Sequence, residues 1–210
     1  MTHPVAPQDI VDPLFLLSAD RDEAQRRGDP WASLCVLATI ASQGSPQGSP
    51  QGTPQARVLV LRDLDPGLGI FINMSSPKHH QIEASGTISI LIYLASIGVQ
   101  YRLDARLAAI DRQTIRSSWT LRPEIPKVMD WLYETRVPQS TALDSRDALL
   151  TLYEDVQSTL SDDPGAPDGA TGYRINPSRI ERLQLSGDRV HERDLYTASG
   201  EAWSHHVLVP

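Results

Sequence analysis

Apolar side chains recur along this chain with two periods, one helical and one alternating, and the change from one to the other predicts its elements. Over residues 12–27, Leu14, Phe15, Leu17 and Ala24 form an apolar helical face. Asp12 suits the N-cap, Pro13 the first helical position, and Gly28-Asp29-Pro30 a stop. A strand is expected over 33–40 and another over 56–62. Between them, Gln43–Gln55 reads QGSP-QGSP-QGTP-Q, three copies of a four-residue unit with nothing to pack, so a hairpin with an overlong tip follows. Further strands are expected over 69–73, 87–94 and 99–110, the last alternating Tyr101, Leu103, Ala105 and Leu107 against Arg102, Asp104 and Arg106. Ser76-Pro77 opens a short helix to Glu83, and helices are expected near 111–120, 126–135 and 146–160. Strands over 171–175, 179–185, 194–197 and 203–209 close the chain. With no alternating βαβ rhythm, the class is mainly β with helices: a small antiparallel barrel with helical decoration. It divides into an N-terminal helical arm, 1–30, and one domain, 31–210, containing the low-complexity loop 43–55 and a linker at 162–171.

Composition narrows the function classes. The 210 residues carry a formal charge of −7, which argues against nucleic acid or an anionic membrane as the main partner. The one cysteine, Cys35, excludes an internal disulfide framework and a cysteine-rich zinc site. No apolar run approaches the roughly 18 residues of a spanning helix, and no basic start precedes an apolar core, so the expected compartment is the cytoplasm.

Three basic places stand out in this acidic chain. Arg57 and Arg62 bracket a strand; guanidinium forks match phosphate, although five positions put them on opposite faces of an ideal strand, and two solvated strand-end charges fit equally. Ser75-Ser-Pro-Lys-His79 gathers hydroxyls, a cation and a helix start, a combination that binds anions. Arg189, His191 and Arg193 would share one face of a strand or extended turn, a dense positive group that calls for an anion or an acidic partner. The pairs His79-His80 and His205-His206 are adjacent, so neither offers one metal two ligands from a helix, and no metal is expected.

At these places the sequence resembles the pyridoxamine 5′-phosphate oxidase family of FMN-binding split-barrel flavoproteins. The likeness is carried by LATIAS at 37–42, RVLVLR at 57–62, GIFIN at 69–73 and SPKHHQI at 76–82. It continues through Gln100, LRP at 121–123, PQS at 138–140, GYRINPSRIERLQ at 172–184 and RVHER at 189–193. The resemblance implies FMN bound at a homodimer interface. Arg57 and Lys78 would hold its phosphate, and Val58, Leu59, Val60, Leu61 and Arg62 would lie along the flavin. Phe71 and Ile72 would add backbone contacts, and Arg193 would approach the ring. Gln100 would bond the flavin or ribityl chain, as would Gln139 and Ser140 from the partner.

The same resemblance implies a small phosphorylated or aromatic substrate. Arg62 and Arg122 would grip the phosphate, Arg189 and His191 would stand over the reacting carbon as catalytic residues, and O₂ would take the electrons. The expected product pair is pyridoxal 5′-phosphate and hydrogen peroxide. The alternatives are a phenazine-type oxidase and a flavin-binding module without catalysis. Six positions depart from the family pattern: Arg62 for a lysine, Ser118 for a phosphate-binding tyrosine, Pro126 for a serine, Pro77 for a second cation, Leu183 for a flavin-side aromatic and, mildly, Glu192 for an aspartate.

Overall fold

The computed structural model describes residues 11–41 and 50–210; most of the QGSP repeat, at 42–49, lies outside the described residues. Helix α1 (Pro13–Arg26) starts where expected, with the Asp12 carboxylate accepting from the Leu14 N–H at 2.9 Å and Pro13 in the first turn. Strands β1 (Leu34–Ile40) and β2 (Pro54–Val60) form the expected hairpin, in register from Leu34 opposite Val60 to Ile40 opposite Pro54. The second strand then breaks. Leu61 turns into the core, 2% exposed, and its N–H bonds the Ser33 carbonyl at 2.9 Å. Arg62 therefore falls in a separate two-residue strand, β3 (Arg62–Asp63), paired with β4 (Leu68–Asn73).

Helix α2 (Pro77–Ser85) is capped by Ser76, whose hydroxyl accepts from the His79 N–H, and ends on the left-handed Gly86. Strands β5 (Ile88–Leu94) and β6 (Val99–Ala109) precede three helices: α3 (Arg112–Thr120), α4 (Glu124–Thr135) and α5 (Arg146–Thr159). Two strands expected at 171–175 and 179–185 are instead one 15-residue strand, β7 (Ala170–Gln184). Pro177, in the gap between the two expected strands, sits opposite Ala105 where the register with β6 shifts, so the irregularity absorbs its missing N–H.

The chain closes with β8 (Glu192–Ser199) and β9 (Ala202–Val207). Arg189 and His191 precede β8 and do not share a strand face with Arg193, as alternation had suggested. The Asp188 carboxylate accepts from the Val190 N–H at 3.0 Å and from the Ser186 hydroxyl, folding a local turn that holds Arg189 at φ 65°.

The nine strands of the described residues form one antiparallel sheet, ordered β2-β1-β5-β6-β7-β4-β3, with β8 added to β7 and β9 to β8. β2 comes back to approach β4, which curls the sheet around a core of Leu37, Ile70, Ile90, Tyr101, Leu103 and Ile180. Leu17 and Ala24 of α1 belong to that same core. Arg182 and the Tyr101 hydroxyl, both bonded to Asp20, tie the helix to the sheet. Cys35 is buried on β1, which pushes its thiol up to about 12. Val128 and Leu132 of α4 pack on Val156 of α5, forming a wall beside the open end of the curl. Among the described residues no helix is long and apolar enough to cross a membrane.

Candidate functional site

Between the β2–β4 face and helix α4 lies a cleft of about 600 Å³. It is lined by Arg57, Val58, Leu59, Val60, Arg62, Phe71, Ile72, Lys78, Arg122 and Gln139, together with Asn73, Met129, Asp130 and Tyr133. Arg57 and Arg62 both line it although they keep opposite phases of one alternation, Arg57 with the more buried Leu59 and Leu61 and Arg62 with the exposed Val58 and Val60. Adjoining it is a second cavity of about 340 Å³, which shares Arg62, Phe71, Ile72, Arg122 and Asp130. Its further walls include Leu61, Ile115, Ser118 and Trp119.

Among the described residues, neither cation at this end of the cleft is hydrogen-bonded or ion-paired to an acid. Arg57 donates to the Gln81 side-chain carbonyl at 2.9 Å and to the Thr39 hydroxyl, both neutral. Lys78, on the first turn of α2, donates to the Gln139 side-chain carbonyl at 2.9 Å. Burial, and then the Arg57 charge, push the Lys78 amine down to about 8, with Asp130 pulling the other way. Gln81 is 1% exposed, and its amide nitrogen has no hydrogen-bond partner. Two like charges, partly buried together at a helix start beside an orphaned donor, form a seat for an anion.

The rest of the cleft has a different character. Val58 and Val60 are about half exposed, and among the described residues β2 is a terminal strand of the sheet, so the backbone groups of these two residues that face away from β1 meet no further strand. Apolar side chains beside free backbone donors and acceptors suit a flat heterocycle with polar edges.

A hydrogen-bonded chain joins the two ends. The Gln139 N–H donates to the Ser75 hydroxyl at 3.1 Å, and that hydroxyl donates to the Asn73 side-chain carbonyl at 2.7 Å. The Asn73 amide donates to Asp130 at 3.3 Å, and Asp130 pairs with Arg122 at 2.7 Å. Burial pushes the Asp130 carboxyl up, against the opposing pull of Arg122.

The structure thus gathers Arg57–Val60, Arg62, Phe71, Ile72, Lys78, Arg122 and Gln139, with Leu61 on the adjoining cavity. Gln139, which the resemblance assigned to the partner, reaches Lys78 of its own chain, because the segment after α4 folds back over the start of α2. Ser140 follows it at φ 74° and lines neither cavity.

Gln100, Arg189, His191 and Arg193 also line neither. Gln100 and Arg193 instead belong to one rung of the sheet: Gln100 of β6 faces Leu183 of β7, which faces Arg193 of β8. Arg193 is held by the buried Glu181 at 2.8 and 2.9 Å. The His191 Nδ1 accepts from the Ser186 N–H at 3.2 Å. Among the described residues no three His, Cys, Asp or Glu side chains cluster as a metal site. His79 instead meets the Tyr173 hydroxyl at 2.8 Å, and His205 pairs with Asp194 at 2.8 Å.

Sequence reasoning missed Asn73, Gln81 and Asp130. A signal existed for the last two: each is a polar residue on a helix position that faces inward, beside Ile82 on α2 and between Val128 and Leu132 on α4.

Comparison with known proteins gives a consistent picture. Residues 171–210 match the family described as the pyridoxine 5′-phosphate oxidase C-terminal dimerisation region. The pyridoxine/pyridoxamine 5′-phosphate oxidase of Burkholderia vietnamiensis is 30% identical over 185 residues, covering 86% of this chain and 81% of that protein. The enzyme of the same name from Pseudomonas syringae pv. tomato is 28% identical over 100% of this chain and 93% of its own. Among solved structures, PhzG from Burkholderia lata 383, in complex with tetrahydrophenazine-1-carboxylic acid, superposes with a TM-score of 0.81 at 22% identity. That match covers 100% of this chain and 98% of the other. An FMN-binding protein related to pyridoxamine 5′-phosphate oxidase, from Nostoc punctiforme PCC 73102, gives 0.72 at 18% identity, with 99% of each chain covered.

Proposed function

The chain belongs to the pyridoxine/pyridoxamine 5′-phosphate oxidase family and has its split-barrel fold, and from that premise we propose that it is an FMN-dependent oxidoreductase working as a homodimer. The observation that carries the reading is the Arg57–Lys78 end of the cleft, two cations whose side-chain partners among the described residues are neutral, beside an edge strand and apolar walls. FMN, when bound, supplies a hydride acceptor that dioxygen regenerates with release of hydrogen peroxide.

Arg57 and Lys78 hold the cofactor's phosphate, and the free edge of β2 with Val58 and Val60 lies along its ring. Phe71 and Ile72 form the wall on which cofactor and substrate meet, since both cavities share them. Arg62 and Arg122 bind the acidic group of the substrate. Gln100, Ser140, Arg189, His191 and Arg193 stand apart from the cleft of their own protomer, and the dimer brings them to the partner's cleft. There Arg189 and His191 cover the substrate and exclude water, and Arg193, locked by Glu181, presents a fixed cation to the flavin edge.

Pyridoxine or pyridoxamine 5′-phosphate is the substrate class supported by the names of the curated relatives. One observation favours a second reading, a ring substrate with a single negative charge: Asp130 already occupies Arg122. The test is an absorption spectrum of the purified chain titrated with FMN, followed by peroxide release with each substrate class in air. We expect saturable FMN binding and peroxide in step with substrate oxidation. A chain that takes no FMN, or holds FMN and oxidises neither class, overturns the proposal.

A further inference from the structure

The 340 Å³ cavity beside the flavin cleft is charged and apolar at once. Its charged lining is three arginines and two aspartates: Arg21, Arg62, Arg122, Asp63 and Asp130. Four of these are already matched. Arg21, 2% exposed, is paired with Asp63, and Arg122 with Asp130 at 2.7 Å. Asp130 is itself 4% exposed, so it cannot turn outward to release its partner, and its second oxygen is held by Asn73 at 3.3 Å. Arg62 makes no ion pair among the described residues, which leaves the cavity one net positive charge. The apolar walls, with Phe71 and Trp119 among them, suit a ring.

A doubly charged phosphate entering this cavity meets one free guanidinium and the Asp130 carboxylate directly behind the other. Like charges in a site of low dielectric repel strongly, so the buried acid acts against a dianion more than against a monoanion. We propose that Asp130 is a specificity-determining residue: by neutralising Arg122 it sets the cavity to accept a ring substrate carrying one negative charge, such as an aromatic monocarboxylate, and to reject a phosphate ester. This deepens the second reading above and rests on the same cavity being the substrate site.

Two redox-inert probes that differ in charge, benzoate and phenyl phosphate, test it by calorimetry on the FMN-loaded chain. The wild type should bind benzoate the more tightly. Asp130→Asn should gain about tenfold for phenyl phosphate, and Asp130→Asn with Arg122→Gln should lose that gain, because it acts through Arg122. A wild type that prefers phenyl phosphate tenfold overturns the proposal, as does a gain below threefold in Asp130→Asn. Should Asp130→Asn fail to fold, the wild-type preference decides alone. The FMN titration is scored separately. A chain that takes no FMN refutes the flavin reading, and the same probes on the flavin-free protein still decide the role of Asp130.

Discussion

Lys78 and Gln139, 61 positions apart, meet at 2.9 Å and join the first turn of α2 to the segment after α4. The amine is held by a neutral carbonyl, in a pocket where burial and Arg57 push it down to about 8 from an ordinary 10.5. A bound phosphate dianion favours the protonated amine, so the complex keeps its proton where the free chain loses it. FMN affinity should therefore fall as pH rises through 8, and separately as pH drops through about 6, where the phosphate takes up its second proton; flavin fluorescence titrations at several pH values would reveal both. The flavin-free fold should show the opposite trend from this group. Between about 8 and 10.5 the unfolded chain binds more protons at Lys78, so its contribution to stability improves with rising pH. Lys78→Met should weaken FMN by roughly 1.5–3 kcal/mol, the range of a charge-assisted bond, and should flatten the alkaline limb of the pH profile. An unaltered profile in the variant would assign the titration elsewhere.

Gly172 controls a side chain in the shared wall. A Cβ there would stand 2.9 Å from the Phe71 ring, 3.1 Å from the Ile110 side chain and 3.1 Å from the Ile70 carbonyl oxygen. The backbone oxygen cannot move far within the β4–β7 ladder, so the Phe71 ring must yield toward the cavities it lines. Gly172→Ala should cost about 1–3 kcal/mol in denaturant unfolding, the usual range for overpacking. It should also weaken FMN binding, whereas a conservative core change away from the wall, such as Ile90→Val, should lower stability alone.

Arg189 is held at φ 65°, a region that costs a non-glycine residue about 1–2 kcal/mol. Part of that is recovered by glycine and part lost to its greater freedom in the unfolded chain, so Arg189→Gly should stabilise the fold by about 1 kcal/mol or less. The same change removes a guanidinium assigned to the substrate. Turnover should fall at least tenfold while the melting temperature holds or rises, and kinetics with thermal unfolding on one preparation would show it. A fall in both would mean that the turn needs the arginine side chain.

These sites differ in how much of them the sequence displays. The amphipathic helices, the β1–β2 hairpin and the capped start of α2 were legible, because each rests on local rules: Asp12 and Ser76 cap, Pro13 and Pro77 begin, and alternation marks strands. Arg57 and Arg62 keep the opposite phases that alternation predicts, and what the spacing does not display is that a cleft closed by α4 takes in both. The continuity of β7 across Pro177 is not displayed, since only the neighbouring strand decides whether a proline meets a bulge or a ladder bond. Asp130 is marked by its place among the inward apolar positions of α4, but its partner is not: only the fold sets Arg122, from the preceding turn, against it. Positions governed by near neighbours were legible, and those governed by a distant partner were not.

The continuity of β7 has a consequence for parity. Its first half carries β4, and with it Phe71 and Ile72; its second half carries β8 and the Arg193 rung. Side chains alternate on either side of the register shift, where Ser178 stands opposite no residue of β6, and this is how Ile175 and Ile180, at positions of opposite parity, are both buried. Losing Ser178 would straighten the ladder and leave every later residue facing as it does. Losing one residue elsewhere in β7 would reverse all that follow it, turning Ile180 or its successors outward. A single-codon deletion should therefore be tolerated at Ser178 and not at its neighbours, because one extra residue keeps in phase a backbone that serves both the floor of the cleft and the rung bearing Arg193.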